Sequence, residues 1–320
     1  MSERNILYFD EASGSLKELL QELKPSAAEL IFFADLKVSD KERALAEADF
    51  FLAATAPVGR KEIEQASQLR LIQKTGTGVD NIDLQAARDF AVPVANTPGV
   101  NAGAVAELTL SFILALYRKL PVINRETKAG SWPMWRHRTS SFELQGKTHG
   151  FIGFGNVGRR VAELSSAFGT NIIYYDVLRV PDKEEERLNA SYAALESVLE
   201  QADIISMHIP LLQETKHLIG APELRRMKNN ALLINVSRGG VVDEKALYEA
   251  LTEKEIAGAA IDVWENEPVR EDHPLLGLDQ VIASAHIGAG TYDTLRKVLT
   301  TAFENIEKMA MEKDASFLIS

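Results

Sequence analysis

Three side chains in the C-terminal half of this chain have the types needed for acid–base chemistry on a carbonyl. Arg238 stands in Asn235-Val236-Ser237-Arg238-Gly239-Gly240. Glu267 stands in Asp262-Val263-Trp264-Glu265-Asn266-Glu267-Pro268, and His286 in Ala285-His286-Ile287-Gly288. Each follows an apolar stretch that reads as a strand, so all three could reach one crevice outside the carboxyl ends of a parallel sheet. A guanidinium grips carboxylate and carbonyl oxygens with its planar fork. An imidazole gives a proton to a carbonyl oxygen or takes one from a hydroxyl. A carboxylate paired with that imidazole holds the ring and compensates its positive charge. Together they suit the interconversion of a 2-oxo acid and a 2-hydroxy acid, whose carboxylate sits beside the reacting carbon. Each also has an ordinary structural reading: an ion pair for Arg238, a loop residue before proline for Glu267, a core histidine for His286.

Such an interconversion moves a hydride, and Gly153-Phe154-Gly155-Asn156-Val157-Gly158 supplies the pattern that binds a hydride carrier. An apolar strand precedes it, an amphipathic helix follows, and a second strand ends in Asp176. Gly153 allows the tight turn, Gly155 lets the backbone approach a pyrophosphate, and Gly158 lets helix and strand pack closely. The helix N-terminus offers unpaired N–H groups to the phosphates. Asp176 would accept hydrogen bonds from an adenosine ribose and repel a 2′-phosphate, which favours NAD over NADP. Arg179 close by leaves NADP as the lesser option. Gly76-Thr77-Gly78 also follows a strand but lacks a third glycine; its N–H groups suit an anionic substrate. His137, His149, His208, His217 and His273 read as structural, although His208 ends a strand and could line the cofactor crevice.

The elements that position these residues form two runs of strand–helix alternation. In the first, Asn5–Phe9, Leu30–Ala34, Phe50–Ala54, Leu71–Lys74 and Val92–Ala95 read as strands, with helices between them at Ser15–Leu23, Lys41–Ala48, Glu62–Ser67 and Leu84–Asp89. A long helix covers about Asn101–Lys119, followed by a polar stretch, Thr127–Gly146. The second run has strands at Thr148–Phe154, Asn171–Asp176, Ile204–His208, Ala231–Val236, Ala257–Val263 and Val281–Ala283. Its helices are Val157–Ala167, Tyr192–Glu200, Glu223–Met227 and Glu244–Glu253, and a last helix is Tyr292–Met311. The charge cluster Asp182–Arg187 reads as a solvated turn. Alternation of this kind implies βαβ units and parallel sheets.

Composition narrows the classes. A chain of 320 residues suggests about two domains. Hydrophobic residues at 46% and charged residues at 25% are those of a globular protein and exclude wholesale disorder. With no cysteine, disulfides, thiolate catalysis and Cys-ligated metal are excluded, and no metal site is expected. A net charge of −11 disfavours nucleic-acid binding. The N-terminus lacks the basic and apolar regions of a signal peptide, and Glu107 and Arg118 interrupt the most apolar segment, so neither export nor membrane insertion is expected. The expectation is a cytoplasmic location.

Taken in order, the motifs resemble the D-isomer-specific 2-hydroxyacid dehydrogenase family, and within it phosphoglycerate dehydrogenases and glyoxylate/hydroxypyruvate reductases. The stretches that carry the resemblance are Thr75–Asp83, Asn96–Glu107, Gly146–Gly158, Val236–Leu247, Ile261–Pro268 and His286–Gly288. It implies an α/β fold of two Rossmann-like, doubly wound parallel-sheet domains, with the nucleotide domain inserted into a discontinuous substrate domain. Residues 1–96 and 292–320 would form the substrate domain and 97–291 the NAD-binding domain. The family's catalytic residues fall on Arg238, Glu267 and His286. Its cofactor contacts fall on Thr77, Asn156, Val157, Asp176, Ile209, Val236, Ser237, Asp262 and Gly288, beside the glycine motif and with Arg238 and His286 near the cofactor. Thr77, Gly78, Arg238 and His286 would meet the substrate. The resemblance also implies a homodimer through the nucleotide domains, with the segment around Trp132–Trp135 near the partner.

Two departures bear on the substrate. Phosphoglycerate-specific members resemble Arg-Ser-Ala-Thr after the early strand, where this chain has Ala53-Ala54-Thr55-Ala56. Glu267 stands where formate dehydrogenases of the superfamily carry Gln. The sequence therefore points to an NAD-dependent reductase of a small 2-oxo acid of the glyoxylate or hydroxypyruvate kind. The alternatives are a short-form 3-phosphoglycerate dehydrogenase and an NAD(H)-sensing binding protein resembling the family's corepressors. Ala289 replaces the family's usual second glycine after His-Ile-Gly, and His149 replaces a usually aliphatic strand residue, for which the sequence offers no account.

Overall fold

A computed structural model describes residues 4–319, and the chain divides into two compact units, Met1–Asn101 with Thr291–Ser320, and Ala102–Gly290. The first unit runs β1 (Arg4–Tyr8), α1 (Gly14–Leu23), β2 (Ala28–Phe32), α2 (Val38–Ala46), β3 (Phe50–Ala53), α3 (Arg60–Gln65), β4 (Leu71–Lys74), α4 (Leu84–Asp89) and β5 (Val94–Ala95). Its five parallel strands lie in the order β2-β1-β3-β4-β5. Every residue of β3 and β4 is buried, as expected of strands covered on both faces. Leu7, Phe51 and Ile72 face one core, Ile6, Phe50, Leu52 and Leu71 the other.

The second unit runs α5 (Ala102–Tyr117), α6 (Leu120–Lys128), β6 (Thr148–Ile152), α7 (Asn156–Ser166), β7 (Asn171–Tyr175), α8 (Asp182–Leu188), β8 (Ala190–Tyr192), α9 (Leu195–Gln201), β9 (Ile204–Met207), α10 (Ala221–Arg226), β10 (Leu232–Asn235), α11 (Glu244–Thr252), β11 (Gly258–Ile261) and β12 (Val281–Ala283). Its seven parallel strands lie in the order β12-β11-β10-β9-β6-β7-β8. Chain order reverses between β6 and β9, which makes the crevice at their carboxyl ends the place where an open α/β sheet binds ligand. The last helix, α12 (Tyr292–Ala310), returns to the first unit and buries Leu299, Ala302, Phe303 and Ile306 against Ile6, Phe50 and Leu71.

The architecture is that of two doubly wound parallel sheets, and most strands fall within two residues of their expected places. Three elements differ from the sequence reading. The long apolar helix ends at Tyr117, and a separate α6 begins after Lys119, which is left-handed at φ 49°. Pro121 suits that first turn, because its missing N–H is one the helix leaves unpaired anyway. The charge cluster Asp182–Arg187 is the helix α8: three acidic residues crowd its first turn, Arg187 pairs with Glu184 one turn back, and left-handed Asn189 closes it. Tyr192 belongs to β8, paired with β7, and not to the next helix, which starts at Leu195. Among the described residues no helix is long and apolar enough to cross a membrane.

Candidate active site

The glycine motif forms the turn between β6 and α7. Gly153 has φ 93°, and a Cβ there would stand 2.5 Å from the carbonyl oxygen of His208. A Cβ at Gly158 would stand 2.5 Å from the carbonyl oxygen of Gly153, so helix and strand meet backbone to backbone. At Gly155 the same test meets nothing within 4 Å. That opening, at the N-terminus of a helix of 11 residues whose first turn no side chain caps, fits a pyrophosphate. Asn156 and Val157 occupy that turn, and Ile209 lies against Gly153.

Asp176 follows β7 and its Oδ2 accepts the Phe154 N–H at 2.6 Å, which fixes the carboxylate beside the glycine loop. Its Oδ1 accepts from Leu178 N at 3.2 Å. Arg179, the residue that left NADP open, is held elsewhere. Its guanidinium forks onto Glu185 at 2.8 and 2.6 Å, and this pulls the Glu185 carboxyl down to about 2.

The catalytic candidates come from three loops at the carboxyl ends of β10, β11 and β12. His286 Nδ1 lies 2.8 Å from Glu267 Oε2, and the other oxygen, Oε1, accepts the Trp264 N–H at 3.0 Å. His286 is left-handed, φ 54°, a conformation that costs a non-glycine residue energy and persists where the surroundings hold it. Asp262 does so. Fully buried, it accepts from Ser284 Oγ at 2.5 Å, Ile287 N at 2.8 Å and Gly288 N at 2.8 Å, while its carbonyl accepts the His286 N–H at 2.7 Å. Arg238 is half-buried and donates to the Ser237 carbonyl at 2.7 Å. Its loop is tied by Asn235, whose Oδ1 accepts from Ser237 N and Oγ and whose Nδ2 donates to the Arg238 carbonyl. A Cβ at Gly239 would stand 1.9 Å from the Trp264 carbonyl oxygen, so the arginine loop and the glutamate loop press directly together.

This unit thus brings together Glu267 and His286, with the Arg238 loop pressed against the glutamate loop, and it carries the glycine motif, Asp176, Ile209, Val236, Ser237, Asp262 and Gly288. Thr77 and Gly78 lie in the other unit, in the loop after β4; the Thr77 carbonyl accepts from Asn96 Nδ2 at 2.7 Å. Asn235, Ser284 and Trp264 escaped the sequence reading as positioning groups. The signal was present for Asn235, a polar residue closing the apolar strand Leu232–Ile234. Among the described residues no cluster of His, Cys, Asp and Glu could hold a metal ion.

Residues 110–288 match the family model described as D-isomer specific 2-hydroxyacid dehydrogenase, NAD binding domain. A glyoxylate reductase of Aeropyrum pernix is 39% identical over 311 residues, 92% of each chain. A D-3-phosphoglycerate dehydrogenase of Methanocaldococcus jannaschii is 42% identical over 253 residues, which are 79% of this chain and 48% of that one. The crystal structure of a glyoxylate reductase from Paecilomyes thermophila superposes with a TM-score of 0.85 at 27% identity, covering 100% of this chain and 99% of that one.

Proposed function

We propose, for a chain that belongs to the D-isomer specific 2-hydroxyacid dehydrogenase family, a specific role as an NADH-dependent reductase of small unphosphorylated 2-oxo acids such as glyoxylate and hydroxypyruvate. Its class is that of an oxidoreductase acting on 2-hydroxy acids with a nicotinamide dinucleotide. The observation that carries the chemistry is the His286–Glu267 pair.

A carboxylate only accepts hydrogen bonds, so the contact of Glu267 with Nδ1 requires Nδ1–H on His286. The proton available to substrate is then the one on Nε2. In reduction the imidazolium gives that proton to the carbonyl oxygen. The neutral ring that remains keeps Nδ1–H on Glu267 and holds a lone pair on Nε2, ready to take a hydroxyl proton in the reverse direction. Arg238 anchors the carboxylate and carbonyl oxygens and stabilises negative charge developing on the carbonyl oxygen. Carboxylate binding by Thr77 and Gly78 belongs to the same proposal. Gly153, Gly155, Gly158 and the first turn of α7 would hold the pyrophosphate and Asp176 the adenosine ribose; the bound dinucleotide supplies or accepts the hydride. Preference for NADH over NADPH is supported by the Asp176 carboxylate, with Arg179 engaged by Glu185.

The choice of unphosphorylated acids is supported by the loop after β3. Its Ala54, Thr55 and Ala56 N–H groups, which could have formed an anion nest, all donate to the Asp10 carboxylate at 2.5–2.7 Å. Around them Asp10, Glu11 and Glu62 face one lysine, Lys41. A phosphoryl group meets repulsion there. NADH oxidation followed at 340 nm with glyoxylate, hydroxypyruvate, pyruvate and 3-phosphohydroxypyruvate, each repeated with NADPH, tests both choices. The expected order is hydroxypyruvate or glyoxylate with NADH first and the phosphorylated acid last. A phosphorylated acid used best would reassign the protein to the phosphoglycerate branch. A homodimer through the nucleotide-binding unit is supported by its exposed Trp132, Met134 and Trp135, which a lone unit leaves in water. Sedimentation at twice the chain mass is the expected result, and a monomer would refute it.

A further inference from the structure

The loop between β4 and α4 carries two backbone donors that its own unit leaves unused. Thr77 is exposed and Gly78 half-buried, and neither N–H has a hydrogen-bond partner among the described residues. The carbonyls beside them are both taken. The Gly76 carbonyl accepts the Thr97 N–H at 3.0 Å, and the Thr77 carbonyl accepts from Asn96 Nδ2 at 2.7 Å. Both donors come from the two residues that follow β5, the strand paired with β4. These bonds set a direction. The Gly76–Thr77 and Thr77–Gly78 peptides are trans, and in a planar trans peptide the C=O and the next N–H point opposite ways. Holding the Gly76 carbonyl therefore aims the Thr77 N–H away from residues 96–97. Holding the Thr77 carbonyl aims the Gly78 N–H away from them as well. Two successive N–H groups turned outward form an anion cradle, and a carboxylate has two oxygens to fill it.

Asn96 is held in its turn. Its own N–H donates to the Phe317 carbonyl at 3.3 Å, and the Ile319 N–H donates to the Val94 carbonyl at 2.8 Å. Residues 317–319 thus lie antiparallel along the open edge of β5, with Leu318 opposite Ala95. That segment is tied down by Asn305 of α12, which is buried. Its Oδ1 accepts the Ser316 N–H at 2.9 Å, and its Nδ2 donates to the Ser316 carbonyl at 3.1 Å and to Gln73 Oε1 at 3.0 Å. Gln73 is a fully buried residue of β4, the strand that leads into the Thr77 loop. The strand carrying the two donors and the segment holding Asn96 are therefore joined a second time, through Asn305.

We propose that Asn96 is a positioning residue for the substrate carboxylate: by holding the Thr77 carbonyl it keeps the Gly78 N–H aimed outward, beside the Thr77 N–H that the Thr97 backbone fixes in the same way. The proposal rests on the reading that Thr77 and Gly78 bind that carboxylate, and its first test is independent of any ligand. Asn96 supplies the one bond of the pair that comes from a side chain, so a substitution can remove it and leave the backbone in place. Aspartate has the same shape but its carboxylate only accepts, so it cannot hold a carbonyl. The carboxylate is gripped alike before and during hydride transfer, so the loss falls on KM and not on kcat.

That test is 15N relaxation of the ligand-free protein labelled in threonine and glycine. The Thr77 and Gly78 amides are expected to show the order parameters of a rigid backbone, about 0.85. In Asn96→Ala the Gly78 amide should fall to about 0.6 or below, while glycines elsewhere keep their values. Oxamate, a carboxylate that is not reduced, added with NADH to the wild type should move both amide proton signals downfield. In steady-state kinetics the KM for glyoxylate or hydroxypyruvate should rise about tenfold in Asn96→Ala and in Asn96→Asp, the loss of one hydrogen bond, while kcat stays that of the wild type. Thr77 and Gly78 amides that are mobile in the wild type, or a Gly78 amide indifferent to Asn96→Ala, would overturn the positioning role whatever the loop binds. Rigid amides that ignore oxamate would instead remove the carboxylate from this loop. A KM that rises in Asn96→Asp alone would mean charge repulsion in place of a lost donor, and a fall in kcat with KM unchanged would put Asn96 in a different step; either contradicts the role.

Discussion

Replacing His286 with asparagine lowers kcat for 2-oxo acid reduction by about 10²- to 10⁴-fold, the usual contribution of a positioned general acid, and leaves the NADH dissociation constant unchanged. Asparagine tolerates the left-handed backbone of this position better than most other non-glycine residues, so the variant removes the imidazole with little added strain. The loop itself is held by Asp262, whose carboxylate and carbonyl bond the backbone of residues 286–288, and those bonds do not depend on the side chain removed. The glycine loop and Asp176 are likewise untouched. Steady-state kinetics with a fluorescence titration of NADH separate the two quantities. Wild-type turnover in this variant would remove His286 from the proton step, and a parallel loss of NADH affinity would show that the loop, not the acid, had been damaged.

The second large effect is expected at Arg238. Arg238→Lys keeps the charge and loses the planar fork, and kcat/KM for the 2-oxo acid should fall about 10²- to 10³-fold, comparable with removing one donor that faces a developing oxyanion. Both parameters should move, KM upward because the substrate carboxylate loses its paired grip, kcat downward because the carbonyl oxygen loses its stabiliser. The arginine is set up for this by its neighbours: Asn235 pins the Ser237 and Arg238 backbone, and Gly239 packs against the Trp264 carbonyl of the glutamate loop. A lysine variant with kcat/KM near wild type would mean that simple charge suffices and that Arg238 does not contact the substrate through two oxygens.

Much of this site is legible in the amino-acid sequence, for physical reasons that differ by residue. Gly153 and Gly158 announce themselves because a side chain at either would collide with backbone, so the motif is a steric requirement written in glycine. Arg238, Glu267 and His286 stand out as polar residues just after apolar strands. What the sequence hides depends on partners far apart along the chain. Asp262 and His286 are linked across 24 residues, and nothing local to Asp262 says that its carboxylate serves the histidine loop. His149 looks out of place in an apolar strand because its partners, Ser165 and Ser206, come from a helix and another strand. The misread elements have local causes: β8 is three residues long and formed by pairing with β7, and α8 is polar enough to resemble a loop until its ion pairs are seen.

Hydride transfer to C2 of a 2-oxo acid, with proton delivery from His286, is the step on which the proposed function stands. It is tested most directly by single-turnover reduction of hydroxypyruvate with NADH deuterated at the transferring C4 position, with the product analysed by NMR and on a chiral column. The expected product is D-glycerate carrying deuterium at C2, formed in an amount equal to the enzyme-bound NADH consumed. Deuterium lost to water, an L product, or NADH bound tightly and never oxidised by any acid of the series would contradict it.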